Sequence, residues 1–327
     1  MLQFGAFFIG FFFIAAPAAI AQTPASTGSW PSKPIRLIYP FAAGGVGDTS
    51  FRMIAPAIEA KLGQRLVVEA RAGAAGNIAA QEVARAAPDG YTLLMPSTSV
   101  LSINPHLFKN LGFDPLGAFE MISTYSESAP VFFINASIPA RTLKEFISYV
   151  QANPGKLNYG SPGIGSPSHL VSELLSQLAT ANMIHVAYKG TPPMIQGILA
   201  NDVQMISTTL SAAIGHVKTG KLRVLAAASR ERLPDGSDVP TAVESGFPEL
   251  TASNWWGLAA PKGTPAPIIE RLSAETRAAL ADPATRKRMA EMSMLPLGST
   301  PAQFASLVKE ELSRWKAVVE RGGIKGE

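Results

Sequence analysis

The sequence predicts an α/β protein of two lobes, each a mainly parallel β-sheet flanked by helices. Short apolar runs of strand length alternate with helical patterns along almost the whole chain. The runs are continuous rather than alternating between apolar and polar residues, which is typical of parallel strands covered on both faces. The chain has 327 residues, of which about 305 follow a predicted leader, and this length favours two domains over one.

Each predicted strand is one of these apolar runs, and the predicted helices lie between them. The strands are predicted over 35–39, 66–69, 91–95, 131–134, 157–159, 184–186, 203–206, 222–226 and 255–259. The helices are predicted over 49–62, 76–86, 141–152, 167–180, 192–200, 210–219, 265–281 and 301–320. Two helix starts carry their own signals, since Thr142 can cap one helix and Thr300 with Pro301 begins the last.

Two extended, proline-bounded segments are predicted to cross between the lobes. They are residues 125–139, YSESAPVFFINASIP, and residues 251–261, TASNWWGLAAP. One lobe would then be 131–252, and the other would be 30–130 completed by 253–327.

Residues 1–21 are predicted to be a signal peptide. Residues 4–16 form an unbroken apolar region that is too short for a comfortable membrane span. Ala19-Ile20-Ala21 follows as an A-x-A pattern, so cleavage is expected after Ala21. No Lys or Arg precedes Lys33, which means that the true start lies upstream or the signal is atypical. An uncleaved anchor is the alternative to an exported, soluble protein.

Composition excludes several classes of function. The chain has no Cys, so it has no disulfides, thiolate metal sites or cysteine nucleophiles. Its net charge of +4 is spread along the sequence. The densest basic run, 286–288, has Asp282 and Glu291 beside it, which favours a solvated helix face over nucleic-acid binding.

The stretch PFAAGGVGDTS, residues 40–50, is a glycine-rich turn between a strand and a helix. It lacks the Lys of a phosphate-binding P-loop and the third glycine of a dinucleotide fingerprint, which argues against nucleotides. Glycines at 44, 45 and 47 allow backbone N–H groups to converge at the start of the helix, where a carboxylate could bind. Asp48 is expected to cap that helix. A tight turn without a ligand remains the alternative.

The stretch NYGSPGIGSPSHL, residues 158–170, has the same pattern, and Ser161 and Ser166 add hydroxyl donors. A hydrolase would need a nucleophile and a base, for which Ser168 and His169 are the only local candidates. They are adjacent on one helix, which is poor geometry, and no G-x-S-x-G occurs. The remaining histidines form no metal-binding pair, so we expect no metal site.

Four more loops of small residues follow predicted strands: EARAGAAGN, PSTS, AYKGTPP and STTLS. Such positions are where open α/β sheets bind ligands. Lys189 is the one cation in the second-lobe loops AYKGTPP and STTLS. One of Trp255 and Trp256 is expected in the core while the other lines a cleft. The loops contain almost no acid–base groups, which favours a receptor without a cofactor over an enzyme.

Nine motifs also resemble one known family along the whole chain after the leader. They are PFAAGG-x-x-D, VVEARAGAAGNIAA, APDGYTLL, INP, PGKLNYGSPGIGSPSHL, HVAYKG, GKLR, DVPT and WWGLAAPKGTP. The chain resembles the Bug-type solute receptors of tripartite tricarboxylate transporters.

This resemblance implies a periplasmic binding protein of the type II-like flytrap kind, with two lobes joined by two crossings. It also implies a monomer that binds a small organic carboxylate and passes it to integral-membrane subunits. In that family the first two glycine-rich loops grip the carboxylate. With the other loops, the predicted ligand-binding residues are Phe41, Ala42, Gly44, Gly45, Asp48, Ser97, Thr98, Ser161, Gly165, Ser166, His169, Lys189, Thr208 and Trp255.

One departure from the family bears on the ligand. Many relatives carry Asp-Asn where this chain has Thr208-Thr209. Two threonines cannot pair with an ammonium group, so a non-amino mono- or dicarboxylate, with an aromatic acid possible beside Trp255, is expected over an amino acid. The alternatives are a periplasmic hydrolase or isomerase on the same scaffold, and a ligand sensor that docks to a two-component kinase.

Overall fold

The computed structural model describes Met1 and residues 30–180 and 183–326, so the predicted leader lies outside the described residues. The strands are β1 (Ile35–Tyr39), β2 (Leu66–Ala70), β3 (Thr92–Leu94), β4 (Phe119–Ser128), β5 (Val131–Asn135), β6 (Asn158–Ser161), β7 (Ile184–Ala187), β8 (Met205–Thr208), β9 (Leu222–Ala227) and β10 (Asn254–Pro261). The helices are α1 (Val46–Leu62), α2 (Asn77–Ala84), α3 (Asn104–Leu107), α4 (Leu143–Ala152), α5 (Pro167–Leu178), α6 (Thr191–Leu199), α7 (Leu210–Lys218), α8 (Ala266–Ala281), α9 (Pro283–Glu291) and α10 (Pro301–Gly322).

The strands form two five-stranded sheets, which confirms the predicted α/β class. The first sheet has the order β2-β1-β3-β10-β4 and the second has the order β7-β6-β8-β5-β9. In each sheet four strands run in the same direction and one runs against them, which gives two parallel and two antiparallel pairings, so both sheets are mixed. The strand that runs against the others is β5 in one sheet and β10 in the other. Each is the first strand after the chain enters that sheet from the other one.

Strand β4 was not predicted, although its last residues fall in the segment predicted as the first crossing. Its sequence, FEMISTYSES, has no long apolar run, yet eight of its ten residues are buried. Several of its buried side chains carry hydroxyl groups, and they can be buried because they form hydrogen bonds inside the fold. Ser123 Oγ donates to Ser299 O at 2.8 Å, and Ser126 Oγ is 2.9 Å from Ser50 Oγ.

The last helix, α10, packs against both sheets. Phe304 and Val308 lie in a core cluster with residues of the first sheet. Trp315 and Val318 lie in the core cluster of the second sheet. The predicted division of the chain at 131 and 253 therefore remains a prediction, because α10 contributes to both cores.

The predicted helix starts of α4 and α10 are confirmed. Thr142 accepts a hydrogen bond from the backbone N–H of Glu145, and Thr300 forms a full capping box with Gln303. No helix among the described residues is long and apolar enough to cross a membrane.

Candidate functional site

The first loop, residues 40–45, connects β1 to α1, and Asp48 holds it closed. Asp48 Oδ2 accepts a hydrogen bond from the Gly44 N–H at 2.8 Å, and Asp48 Oδ1 pairs with Arg52 Nε at 2.7 Å. The N-cap of α1 is Gly45 and not Asp48, which corrects the predicted cap. Since Asp48 is only 2% exposed, its charge is taken up inside the loop rather than presented to a ligand.

An aromatic wall stands behind the first loop. The Trp256 ring centroid lies 5.5 Å from those of both Tyr39 and Phe41. The same indole covers Gly47, where an added Cβ would lie 2.5 Å from Cδ2 of Trp256. Burial raises the pKa of Tyr39 to about 12, so its phenol stays neutral.

The predicted ligand residue Trp255 lies elsewhere. It is fully buried and packs edge-on against Phe304 at 5.1 Å between ring centroids. Successive side chains of a strand point to opposite faces, so only one of the two tryptophans can face the first loop. The sequence alone did not fix the register of β10, and Trp256 is the one beside that loop.

The second loop, residues 161–166, connects β6 to α5. Ser166 caps α5 by accepting from the His169 N–H at 3.1 Å, and the Gly165 N–H donates to His169 Nδ1 at 3.2 Å. Ser161 Oγ lies 2.7 Å from His185 Nε2. These contacts hold the loop in shape from its own helix and from β7.

Two imidazoles and one phenol are stacked behind the second loop. The His169 and His185 centroids lie 3.8 Å apart, and His185 lies 5.0 Å from Tyr159. Burial lowers the pKa of His169 to about 3, with a further lowering by His185, and burial lowers the pKa of His185 to about 4. Both rings are therefore neutral at pH 7 and add no charge to the loop.

This stack is expected to lower the stability of the fold in acid. The folded-state pKa values lie below the unfolded value of about 6.5, so the unfolded chain binds more protons and stability falls as the pH drops from about 6.5 toward 4. Between pH 7 and pH 5 the loss is about 2 kcal/mol for a fully buried imidazole, and less for His185, which is partly exposed. Urea unfolding at pH 7 and at pH 5 measures this loss of stability.

The matched variants are His169→Asn, whose amide oxygen can still accept from Gly165, and His185→Gln, whose amide can still reach Ser161. Together they should remove most of this pH dependence while leaving stability at pH 8 close to that of the wild type. The same slope in the double variant would show that other groups cause the acid sensitivity.

Asn104 is hydrogen-bonded to the third loop, residues 73–76, and lies close to the second loop. Its Nδ2 donates to Ala75 O at 3.0 Å and to Asn77 Oδ1 at 2.7 Å. Its Oδ1 lies 3.8 Å from the position that a Cβ on Gly165 would take. Phe41 lies against Gly76, so the first loop also contacts the third.

A pocket of about 130 Å³ lies between the two sheets beside the first loop. Its lining residues come from α1 with its loop, the end of β4, the start of α7 and the segment after α9: Gly44, Val46, Thr49, Ser128, Thr209, Ser211, Met292 and Met294. None of these side chains is ionisable, and four carry hydroxyl groups. Nearby, Ser293 Oγ donates to Asp235 Oδ2 at 2.6 Å, which links the two halves of the molecule.

The comparison with known families agrees with this arrangement. The family model described as tripartite tricarboxylate transporter family receptor matches residues 50–324. The chain belongs to this family. The receptors of the family are periplasmic binding proteins, and this chain is a solute-binding receptor of that kind.

Individual relatives match the receptor over nearly its whole length. Protein BugT of Bordetella pertussis is 34% identical over 311 residues, which are 95% of each chain. The structure of R. palustris Rpa4515 with adipate is 30% identical with a TM-score of 0.80, and covers 91% of this chain and all of its own. MatC (Rpa3494) from Rhodopseudomonas palustris with bound malate is 34% identical with a TM-score of 0.75, and covers 89% of this chain and all of its own.

The receptor brings together only part of the predicted ligand set. Phe41, Ala42, Gly44 and Gly45 lie on the first loop, and Ser161, Gly165, Ser166 and His169 belong to the second loop or support it. Thr98 instead holds the start of β10. Its Oγ1 donates to Ser253 O and accepts from the Trp255 N–H, both at 3.0 Å. Ser97 is buried beside it, Thr208 is buried at the end of β8, and Lys189 is exposed.

Sequence reasoning missed several residues of the receptor's site. Asn104 and His185 stood inside the quoted motifs INP and HVAYKG, so a signal was present but no role was assigned. Met292 and Met294 carried no signal, because the segment after α9 reaches the pocket only through the tertiary fold.

Proposed function

We propose that this receptor binds a small organic carboxylate between its two sheets and delivers it to the membrane subunits of a tripartite transporter. The pocket between the sheets carries this proposal. Its lining sets the first loop and the Thr49 hydroxyl, beside the first sheet, opposite the hydroxyl groups of Thr209 and Ser211, beside the second.

Two helices begin at this pocket, and both favour an anion. α1 starts at Val46 and α7 at Leu210, and neither N-cap residue makes a side-chain capping bond. The free N–H groups and the positive end of the helix dipole attract a carboxylate. Charge-assisted hydrogen bonds of about 1.5–3 kcal/mol each can keep it ionised without a cation.

The pocket favours a ligand without an ammonium group. No carboxylate side chain lines it, so no lining residue could pair with an ammonium. Met292 and Met294 make the far wall apolar and adaptable. Two family members solved with the dicarboxylates adipate and malate support the same class of ligand.

Binding acts by holding the two halves together. The second loop lies against α3, since a Cβ on Gly165 would meet Leu107, and Asp235 meets Ser293 across the other side. A carboxylate that contacts both sheets adds to these contacts, so it favours the closed arrangement. The membrane subunits would then receive the ligand from the closed receptor, which works as a periplasmic monomer after cleavage at Ala21.

A calorimetric screen tests the proposal. Adipate, malate and benzoate should include a binder that raises the unfolding midpoint, whereas glutamate and aspartate should not. Thr209→Asp should weaken that carboxylate at least tenfold through like-charge repulsion, while Thr219→Asp at the other end of α7 should not. Tight binding of glutamate or aspartate with no response to the other acids would contradict the proposed ligand class.

We also propose that the ligand leaves unchanged. Ser161 and His185 form a hydroxyl–imidazole pair. However, the His185 ring packs against those of Tyr159 and His169, and its lowered pKa makes it too weak a base to activate the hydroxyl group. NMR of the bound carboxylate after prolonged incubation should show only the starting compound. Turnover that is lost in His185→Gln would favour the hydrolase or isomerase. Binding to a sensor kinase domain, but not to membrane subunits, would favour the sensor.

A further inference from the structure

A groove of about 360 Å³ lies on the outside of the molecule between α10 and the segment that joins β9 to β10. It shares no residue with the three loops or with the pocket between the sheets. Its lining residues are Leu174, Arg230, Pro248, Glu249, Thr251, Arg314, Ala317, Val318 and Arg321. Its volume lies at the lower end of the ~300–1,000 Å³ usual for small-molecule sites.

The groove gathers three guanidinium groups. Arg230 and Arg321 are exposed, and Arg314 lies deeper, with 31% of its side chain exposed. The one carboxylate in the lining is the exposed Glu249, so the lining carries a net positive charge. A guanidinium presents a fork of N–H donors that fits the oxygens of carboxylate and phosphate groups.

Arg314 is held in place without full neutralisation. Its Nη1 is 3.6 Å from Glu311 Oε1, and its Nη2 donates to Glu249 O at 3.3 Å and to Thr251 Oγ1 at 3.4 Å. The Trp315 ring lies 4.9 Å from its Cζ. Burial lowers the pKa of Arg314 below its usual value; Glu311 opposes this shift, and the nearby Arg230 adds to it.

We propose that this groove binds a multiply charged oxyanion, a phosphate compound or a polycarboxylate, at a second site outside the cleft between the sheets. The anion lies between Arg230, on the segment leading into β10, and Arg314 with Arg321 on α10. It neutralises the repulsion between the guanidinium groups. Because the groove lies between α10 and the segment that joins β9 to β10, the bound anion links these two elements.

Calorimetry with pyrophosphate and with citrate tests the site, at a constant ionic strength of about 0.15 M set with chloride. The double variant Arg230→Ala/Arg321→Ala removes two exposed cations of the groove. The matched control is Arg286→Ala/Arg288→Ala, which removes two exposed cations from α9. We expect the wild type and the control to bind at least one of the two anions, and the groove variant to bind it at least tenfold more weakly.

Pyrophosphate and citrate distinguish the two possible kinds of anion, a phosphate compound and a polycarboxylate. Binding of pyrophosphate alone identifies a phosphate ligand, and binding of citrate alone identifies a polycarboxylate. Equal affinity in the groove variant and the control would overturn the proposal, because the anion would then bind elsewhere. Failure of the wild type to bind either probe would overturn it as well.

Discussion

Replacing Gly47 by alanine is expected to abolish carboxylate binding and to lower the free energy of unfolding by about 1–3 kcal/mol. The new Cβ would lie 2.5 Å from Cδ2 and 2.8 Å from Cζ3 of Trp256. The indole would have to move, and it packs on Tyr39 and Phe41, which support the first loop. Urea unfolding measures the loss of stability, and calorimetry with the carboxylate selected by the screen measures the loss of affinity.

Gly215→Ala is the matched control for this substitution. Gly215 is also a helical glycine, but nothing lies within 4 Å of its added Cβ. Alanine is the better helix former, so the control should be neutral or up to about 1 kcal/mol more stable. Wild-type stability and affinity in Gly47→Ala would show that the aromatic wall does not determine the position of the first loop.

Replacing Asn104 by aspartate is expected to loosen the third loop. The substitution removes the amide that donates to Ala75 O and Asn77 Oδ1, and it puts a buried carboxylate in its place. An unpaired buried acceptor costs about 1–3 kcal/mol, and a charged group costs more. We therefore expect a loss of about 3 kcal/mol at pH 7 and at least tenfold weaker carboxylate binding.

The pH dependence of this loss is a second measurement. A buried carboxyl group has a raised pKa, so the folded variant binds a proton more readily than the unfolded chain. The deficit relative to the wild type should therefore shrink between pH 7 and pH 5. The exposed Asn110→Asp adds the same charge in the same region and should show neither effect. A deficit that is small at pH 7 would contradict the role of Asn104.

The sequence predicted the α/β class because a continuous apolar run is typical of a buried strand. Such a run can be recognised from neighbouring residues alone. Nine of the ten described strands coincide with predicted runs to within a few residues. β4 was missed because buried hydroxyl groups replace apolar side chains there. The one reversed strand in each sheet was not predicted, because strand direction depends on where the chain enters a sheet, and a run of apolar residues carries no direction.

By itself, the sequence determined the class of the fold, the positions of the glycine-rich loops and their composition of mainly small and hydroxyl-bearing residues. Loop position follows from the alternation of strands and helices, and loop chemistry follows from residue type. Only the tertiary structure decided which side chains meet. The register of β10 placed Trp256 rather than Trp255 beside the first loop, and packing brought Asn104 between two loops. The methionines reach the pocket across about 250 residues of chain from Gly44. Contacts between such distant residues depend on the folded arrangement as a whole, which no local pattern records.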